Sequence, residues 1–176
     1  MNILITGGSG FIGSNLAIKL LSKGHNITIL DNLSTQIHGA NPKNTSPLYK
    51  SIIDKVNFIH GDVSEENDWK KALPNQDVVV HFAAETGTGQ SMYEINKYSS
   101  VNILGTSKML DLLTNEKDYN VKKIIIASSR SIYGEGKYHC NLHGIVYPNE
   151  RSNDDMIKGD FNVKCPKCSD NVTLLA

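Results

Sequence analysis

Gly7, Gly10 and Gly13 follow an apolar stretch at residues 2–6, and Asp31 stands 18 residues beyond the last of them. Glycine at the first place permits a tight turn. At the second it lets the backbone approach a pyrophosphate, and at the third it lets a helix pack closely on a strand. Free N–H groups where the helix opens then receive phosphate oxygens. A carboxylate at the end of the next strand, Asp31, can bind both hydroxyls of a ribose. It also repels a 2′-phosphate, and Asn32, Leu33, Ser34 and Thr35 bring no arginine to attract one. The pattern therefore points to NAD rather than NADP. The competing readings are a purely structural turn for the glycines and a loop-capping residue for Asp31.

A second constellation lies near the other end. Cys140-x-x-His143 and Cys165-x-x-Cys168 are two close pairs separated by 21 residues. Three thiolates and an imidazole suit a tetrahedral structural zinc site. The polar segment around them has too few apolar residues for its own core, so a metal could stabilise it. The alternative is three incidental cysteines and a surface histidine. His139 breaks the pair spacing and is a poorer ligand. His81 reads as a hydrogen-bonding residue at a strand end.

These residues need elements to hold them. The pattern predicts strands at 2–6, 26–30, 56–60, 78–81 and 123–128. It predicts helices at 11–23, at 65–73 with Ser64 as cap, and at 91–113 with weak points at Asn102 and Gly105. In the first helix Ile12, Leu16, Leu20 and Leu21 fall on one side, and Gly24 stops it. Residues 32–55 are polar, with Pro42 and Pro47, and read as a long loop with short helical pieces. Apolar strands alternating with helices indicate an α/β fold, a Rossmann-type doubly wound parallel sheet. The alternation fails after Gly134. We expect a partial nucleotide-binding domain at 1–134, an insertion at 135–170 carrying all three cysteines, and the start of a returning segment at 171–176.

The composition sets outer bounds. Eighteen basic and 18 acidic residues among 176 give a formal net charge of zero, so nothing draws the chain to nucleic acid or an anionic membrane. Apolar runs are too short for a transmembrane helix. The N-terminus has no basic segment before its apolar run and reads as a strand rather than a signal peptide. An odd cysteine count argues for a reducing compartment, the cytoplasm.

Taken in order, the motifs resemble the extended short-chain dehydrogenase/reductase superfamily of nucleotide-sugar epimerases and dehydratases. Thr6-Gly7-Gly8-Ser9-Gly10-Phe11-Ile12-Gly13 is similar to its N-terminal fingerprint, and Asp31-Asn32-Leu33 to the end of its second strand. Gly61-Asp62-Val63 resembles the segment whose Asp accepts from the adenine amino group. His81-Phe82-Ala83-Ala84 resembles the strand-four segment along the cofactor, and Asn102 a cofactor-side position in the next helix. Ser128 to Gly134 resembles the strand-five segment, implying Ser129 as a catalytic hydroxyl and Ser128 as a cofactor-side one. The likeness covers residues 1–134, and within the superfamily it is nearest to the dTDP-L-rhamnose 4-epimerase-like group. A 4,6-dehydratase would place Thr-Asp-Glu where Ser129-Arg130-Ser131 stand.

The resemblance implies tightly held NAD as a transient oxidant, a nucleoside diphosphate hexose as substrate and a homodimer. A tyrosine would act as base, with a lysine four residues on lowering its pKa. Other reactions of the superfamily, such as dehydration, decarboxylation or reduction, and a non-catalytic NAD-binding role are the alternatives. Three Tyr-x-x-x-Lys pairs occur: Tyr93/Lys97, Tyr119/Lys123 and Tyr133/Lys137. None is expected on a helix after the Ser129 strand, where the family carries its pair. The expectation is thus the cofactor-binding part of an epimerase, inactive on its own.

Overall fold

A computed structural model describes residues 1–175; Ala176, the end of the expected returning segment, lies outside the described residues. Two compact units divide after Ala127.

The first unit alternates strand and helix. β1 (Asn2–Thr6) leads through α1 (Phe11–Leu21) to β2 (Asn26–Asp31). Three short helices follow, α2 (Thr35–His38), α3 (Pro42–Thr45) and α4 (Pro47–Ile52), where a polar loop with helical pieces is predicted. Then come β3 (Asn57–His60), α5 (Glu66–Ala72) and β4 (Val78–His81). A continuous helical stretch comprises α6 (Ile95–Tyr98), a π-helical segment (Ser99–Gly105) and α7 (Thr106–Asn115), and β5 (Lys123–Ile126) closes the unit. All five strands are parallel in the order β3-β2-β1-β4-β5. This is the predicted doubly wound Rossmann-type sheet. The crossover from β3 to β4 reverses the winding, so a crevice opens at the C-terminal ends of β1 and β4.

Period-two alternation splits the core into two layers. Ile3, Ile5, Ile27, Ile29 and Val80 face Ala17 of α1 and Ile52 of α4. Leu4, Leu30 and Val79 face Trp69, Ala72 and Leu73 near α5 and Met109 and Leu112 of α7. Successive side chains of a strand point to opposite faces, which is why these runs are apolar throughout. Trp69 is fully buried, and its indole N–H is satisfied by Val63 O at 2.8 Å.

Several local expectations need correction. Ile12 does not join the apolar side of α1; it is 67% exposed, and Gly13, Ser14 and Ala17 are the buried residues there. Ser64 does not cap α5, whose N-cap is Glu65 without a side-chain bond. The Asp62 carboxylate takes the Ser64 N–H instead, at 2.8 Å. The helix predicted at 91–113 opens with a 3-10 turn at Gln90–Met92 and carries the π segment at its centre. That segment spans both predicted weak points. The last strand ends at Ile126, short of Ser128.

The second unit, from Ser128 on, holds a 3-10 turn (Arg130–Tyr133), α8 (Asn153–Ile157) and a small antiparallel sheet. β6 (Tyr138–Cys140) lies between β7 (Gly144–Val146) and β8 (Thr173–Leu174).

Candidate functional site

At the end of β1 the chain turns through Gly7, whose φ of +65° side chains rarely adopt. A Cβ there would stand 2.8 Å from the Ala83 amide nitrogen. One on Gly13 would stand 2.5 Å from Gly7 O and 2.6 Å from Gly8 Cα. The Ser14 N–H donates to Gly10 O at 2.9 Å and begins the ladder of α1. The amides of Phe11, Ile12 and Gly13 belong to the first turn, where a helix has donors without intrahelical acceptors and a partial positive charge.

Asp31 braces this turn from β2. One carboxylate oxygen accepts the Ser9 N–H at 2.8 Å and the other accepts the Leu33 N–H at 2.8 Å. Leu33 is held at φ +53°, a strained left-handed conformation for a leucine. Each carboxylate oxygen keeps a lone pair for a further donor. His38 stands behind, its Nε2 4.0 Å from Asp31 and its Nδ1 2.9 Å from Ser46 Oγ.

Asp62 accepts from the Asn32 side-chain amide and from the Ser64 N–H, both at 2.8 Å. Burial pushes its carboxyl up, but these donors outweigh burial and hold it below the usual value. It is an anchored, ionised acceptor beside the Asn32 loop.

Below the end of β4 a closed polar circuit ties strand to helix. The Thr106 hydroxyl donates to Asn102 O at 3.0 Å, so it accepts from His81 Nε2 at 3.1 Å. His81 Nδ1 is then the acceptor for the Thr6 hydroxyl at 2.7 Å, and Thr6 Oγ1 accepts the Ala83 N–H at 3.1 Å. The ring is neutral in this arrangement, in line with burial, which lowers its pKa to about 4. Asn102, in the π segment, clamps the backbone of Glu85. It donates to Glu85 O at 3.0 Å and accepts the Glu85 N–H at 2.9 Å. A π turn at a functional position is a recurrent device, because it redirects one side chain out of the helical ladder.

A cleft of about 300 Å³ gathers Gly7, Gly10, Phe11, Asp31, Asn32, Asp62, Val63, Phe82, Ala83 and Ala84, all predicted from sequence. Ile12, Gly13 and Asn102 are not among its walls; Gly13 packs behind the turn, and Asn102 acts through Glu85. Ser34, Gln36, His38, Glu85, Thr86 and Val101 also line it and were not anticipated. No sequence signal marks the first three, which the short helices after β2 bring in. Glu85 and Thr86 simply continue the strand-four motif. A second hollow lies around Asn2, Asn26 and Asn57, at the opposite ends of the strands from the crevice.

The cleft fits a dinucleotide. Its floor is backbone that a Cβ would obstruct, and Ser9 Oγ is buried in the turn with no hydrogen-bond partner among the described residues.

In the second unit Ser129 caps the 3-10 turn, its Oγ accepting the Ser131 N–H at 3.1 Å. Ser128 is exposed. Tyr133 is 81% exposed, and Gly134 and Gly136, at φ +61° and +98°, prevent a helix that would align it with Lys137. In the first unit Lys97 pairs with Glu85 at 3.2 Å and Glu94 at 3.3 Å, and Tyr93 is exposed. Tyr119 precedes β5, its hydroxyl pKa raised by burial and by Glu116.

Cys140, His143, Cys165 and Cys168 converge in the second unit, with one donor atom of each within 4.8 Å of all the others. Cys140 ends β6 and His143 immediately precedes β7, so one hairpin supplies both. Cys165 and Cys168 sit on a turn flanked by the Lys164–Asn171 bridge. Burial pushes the Cys165 thiol up, but the amides of Lys167 and Cys168 and the neighbouring thiols bring it down to about 6.

The family model for the NAD-dependent epimerase/dehydratase family matches residues 3–150. A dTDP-L-rhamnose 4-epimerase of Burkholderia thailandensis is 36% identical over 151 residues, 85% of this chain and 40% of the relative. A UDP-glucose 4-epimerase of Yersinia enterocolitica is 34% identical over 78% of this chain and 40% of its own. Among solved structures, the UDP-glucose 4-epimerase of Bifidobacterium longum with NAD+ and UDP aligns with a TM-score of 0.60 at 32% identity. It is matched over 76% of this chain and 38% of its own. The chain therefore spans about two fifths of the length of these relatives. No helix among the described residues is long and apolar enough to cross a membrane. With a matching family model over most of its length, and with the glycine turn, Asp31, Asp62 and the Phe82–Ala84 segment on one cleft of a Rossmann-type sheet, the chain belongs to the NAD-dependent epimerase/dehydratase family.

Proposed function

We propose that this chain is the NAD-binding part of a nucleotide-sugar 4-epimerase. The observation that carries the reading is the single cleft in which the glycine turn, Asp31, Asp62 and the Phe82–Ala84 backbone meet. The complex of the Bifidobacterium longum relative with NAD+ supports the cofactor. The amides opening α1 receive the pyrophosphate, Asp31 accepts from the ribose hydroxyls, and Asp62 accepts from the adenine amino group. Held by these residues, NAD would supply reversible hydride chemistry at the sugar. Thr6, His81 and Asn102 keep the strand-four backbone in place beside it.

Ser129 is the hydroxyl that holds the sugar oxygen near the base. The substrate is a nucleoside diphosphate hexose, in keeping with the dTDP- and UDP-sugar enzymes that the chain resembles. Ser129-Arg130-Ser131 lacks the acid pair of a dehydratase, which favours epimerisation. The three free thiols support a reducing compartment, the cytoplasm, and the whole protein is expected as a homodimer.

Calorimetric titration of the 176-residue chain with NAD and with NADP tests the cofactor assignment. Saturable NAD binding with weaker or absent NADP binding is expected. No NAD binding by a folded chain would overturn it.

A further inference from the structure

We propose that Cys140, His143, Cys165 and Cys168 bind one zinc ion, and that this ion organises the second unit. Three of the six spacings among the donor atoms already match a filled site, and all six lie within 4.8 Å. Cys140 Sγ is 3.7 Å from Cys168 Sγ and 3.6 Å from His143 Nδ1, and Cys165 Sγ is 3.5 Å from His143 Nδ1. A regular tetrahedron with zinc–sulfur bonds of about 2.3 Å and zinc–nitrogen bonds of about 2.0 Å has edges of roughly 3.8 Å between sulfurs and roughly 3.5 Å from sulfur to nitrogen. Each of these three contacts agrees with its edge to within about 0.1 Å.

The backbone is arranged for the same purpose. Between Cys165 and Cys168 the chain forms a knuckle: the Lys167 N–H points at Cys165 Sγ at 3.5 Å, and the Ser169 N–H donates to Cys165 O at 2.9 Å. Ser169 takes φ +63° to complete the turn. An amide aimed at a thiolate stabilises its charge, as such ligands need. On the facing hairpin, Gly144 at φ +65° follows His143 and pairs with Cys140 across the strands. Two tight turns thus present two ligands each.

The packing gives such an ion a structural role. The buried apolar cluster of this unit is Cys140, Val146 and Cys165, with Tyr138, Cys168 and Val172 partly buried around it. Two of its three buried members are proposed ligands. So short a unit ordinarily needs a disulfide or a metal in place of a core. The cysteines are free, and three thiolates with one imidazole are a zinc donor set. The metal-binding free energy would then be folding free energy for this unit.

The test uses the 176-residue chain, purified under reducing conditions without a metal-binding tag, with zinc measured by elemental analysis. About one zinc per chain is expected. A Cys165→Ser variant should lose it, and His143→Cys, which keeps four ligands, should retain it. Chelation should expose the second unit to protease and leave NAD titration unchanged, which separates this site from the cofactor cleft. Should the serine variant fail to fold, cobalt(II) added to the metal-stripped wild-type chain gives the independent reading, the visible bands of a tetrahedral thiolate site. Less than about 0.2 zinc per chain, together with no cobalt spectrum, would overturn the proposal. So would a Cys140–Cys168 disulfide in protein kept reduced throughout.

Discussion

The Asp31 carboxylate accepts the backbone N–H of Ser9 at 2.8 Å, locking the end of β2 to the turn that follows β1. The proposed ribose ligand is therefore also a brace for the proposed phosphate site. Asp31→Ala should weaken NAD by about 1–3 kcal/mol, the scale for charge-assisted bonds. It should also lower folding stability, since Ser9 and Leu33 lose their acceptor. Asp31→Asn keeps an acceptor oxygen and should recover part of the stability but little of the NAD affinity. Calorimetry and urea unfolding on the same samples separate the two effects.

Gly10 and Gly13 should respond differently to alanine. A methyl at Gly13 meets backbone at 2.5 Å, so Gly13→Ala should cost about 1–3 kcal/mol of stability or more. At Gly10 the nearest atom is Gly7 O at 3.3 Å, so Gly10→Ala should fold with a small loss and show its defect in NAD binding. Thermal unfolding with and without NAD distinguishes them.

Asn102→Ala removes both clamps on Glu85 without touching the cleft wall. NAD affinity should fall several-fold, and amide exchange should speed up at residues 84–86. Unchanged exchange there would contradict the positioning role.

His81 gives a pH signature. Its pKa is about 4 when folded against 6.5 as the ordinary value. Between those values the unfolded chain holds the extra proton, so stability is full above the upper one and falls as pH drops towards the lower. The total loss is about 3 kcal/mol. His81→Gln cannot titrate and should flatten that slope relative to wild type while lowering stability at neutral pH. Urea unfolding above and within the window measures the difference.

The 176-residue chain with NAD should not convert UDP-glucose or a dTDP-sugar. Neither Tyr93/Lys97, Tyr119/Lys123 nor Tyr133/Lys137 forms the aligned helical pair that proton abstraction needs. Chromatography of the sugar nucleotides after long incubation is the assay, and epimer formation would mean that an unrecognised base operates.

Much of this site was legible because its parts obey local rules. Gly7 needs positive φ, Gly13 must admit a backbone oxygen, and Asp31 ends a strand marked by its continuous Ile- and Thr-rich run. What escaped depends on three dimensions. Ile12 follows the helical period, yet the first turn of α1 projects it outward. Ser64 is a good cap by type, but the helix begins one residue later, with Glu65 at the cap position. Asn102 is marked by resemblance as a cofactor-side position and by pattern as a weak point in a helix, but its π segment and its clamp on the Glu85 backbone are not legible. His38 and Gln36 reach the cleft only through the fold of the α2–α4 segment.

β5 carries a different consequence. Its isoleucines, Ile124, Ile125 and Ile126, are 36%, 42% and 50% exposed, and in the five-stranded sheet it pairs on one side only, with β4. A hydrophobic strand with an open row of amide and carbonyl groups is a template for a strand from another molecule. Lys123, the first residue of β5, is the kind of charge that discourages such pairing, whereas Lys122 is tied to Asp77 at 3.1 Å. Neutralising Lys123 should therefore raise the tendency of the 176-residue chain to self-assemble through this isoleucine strand.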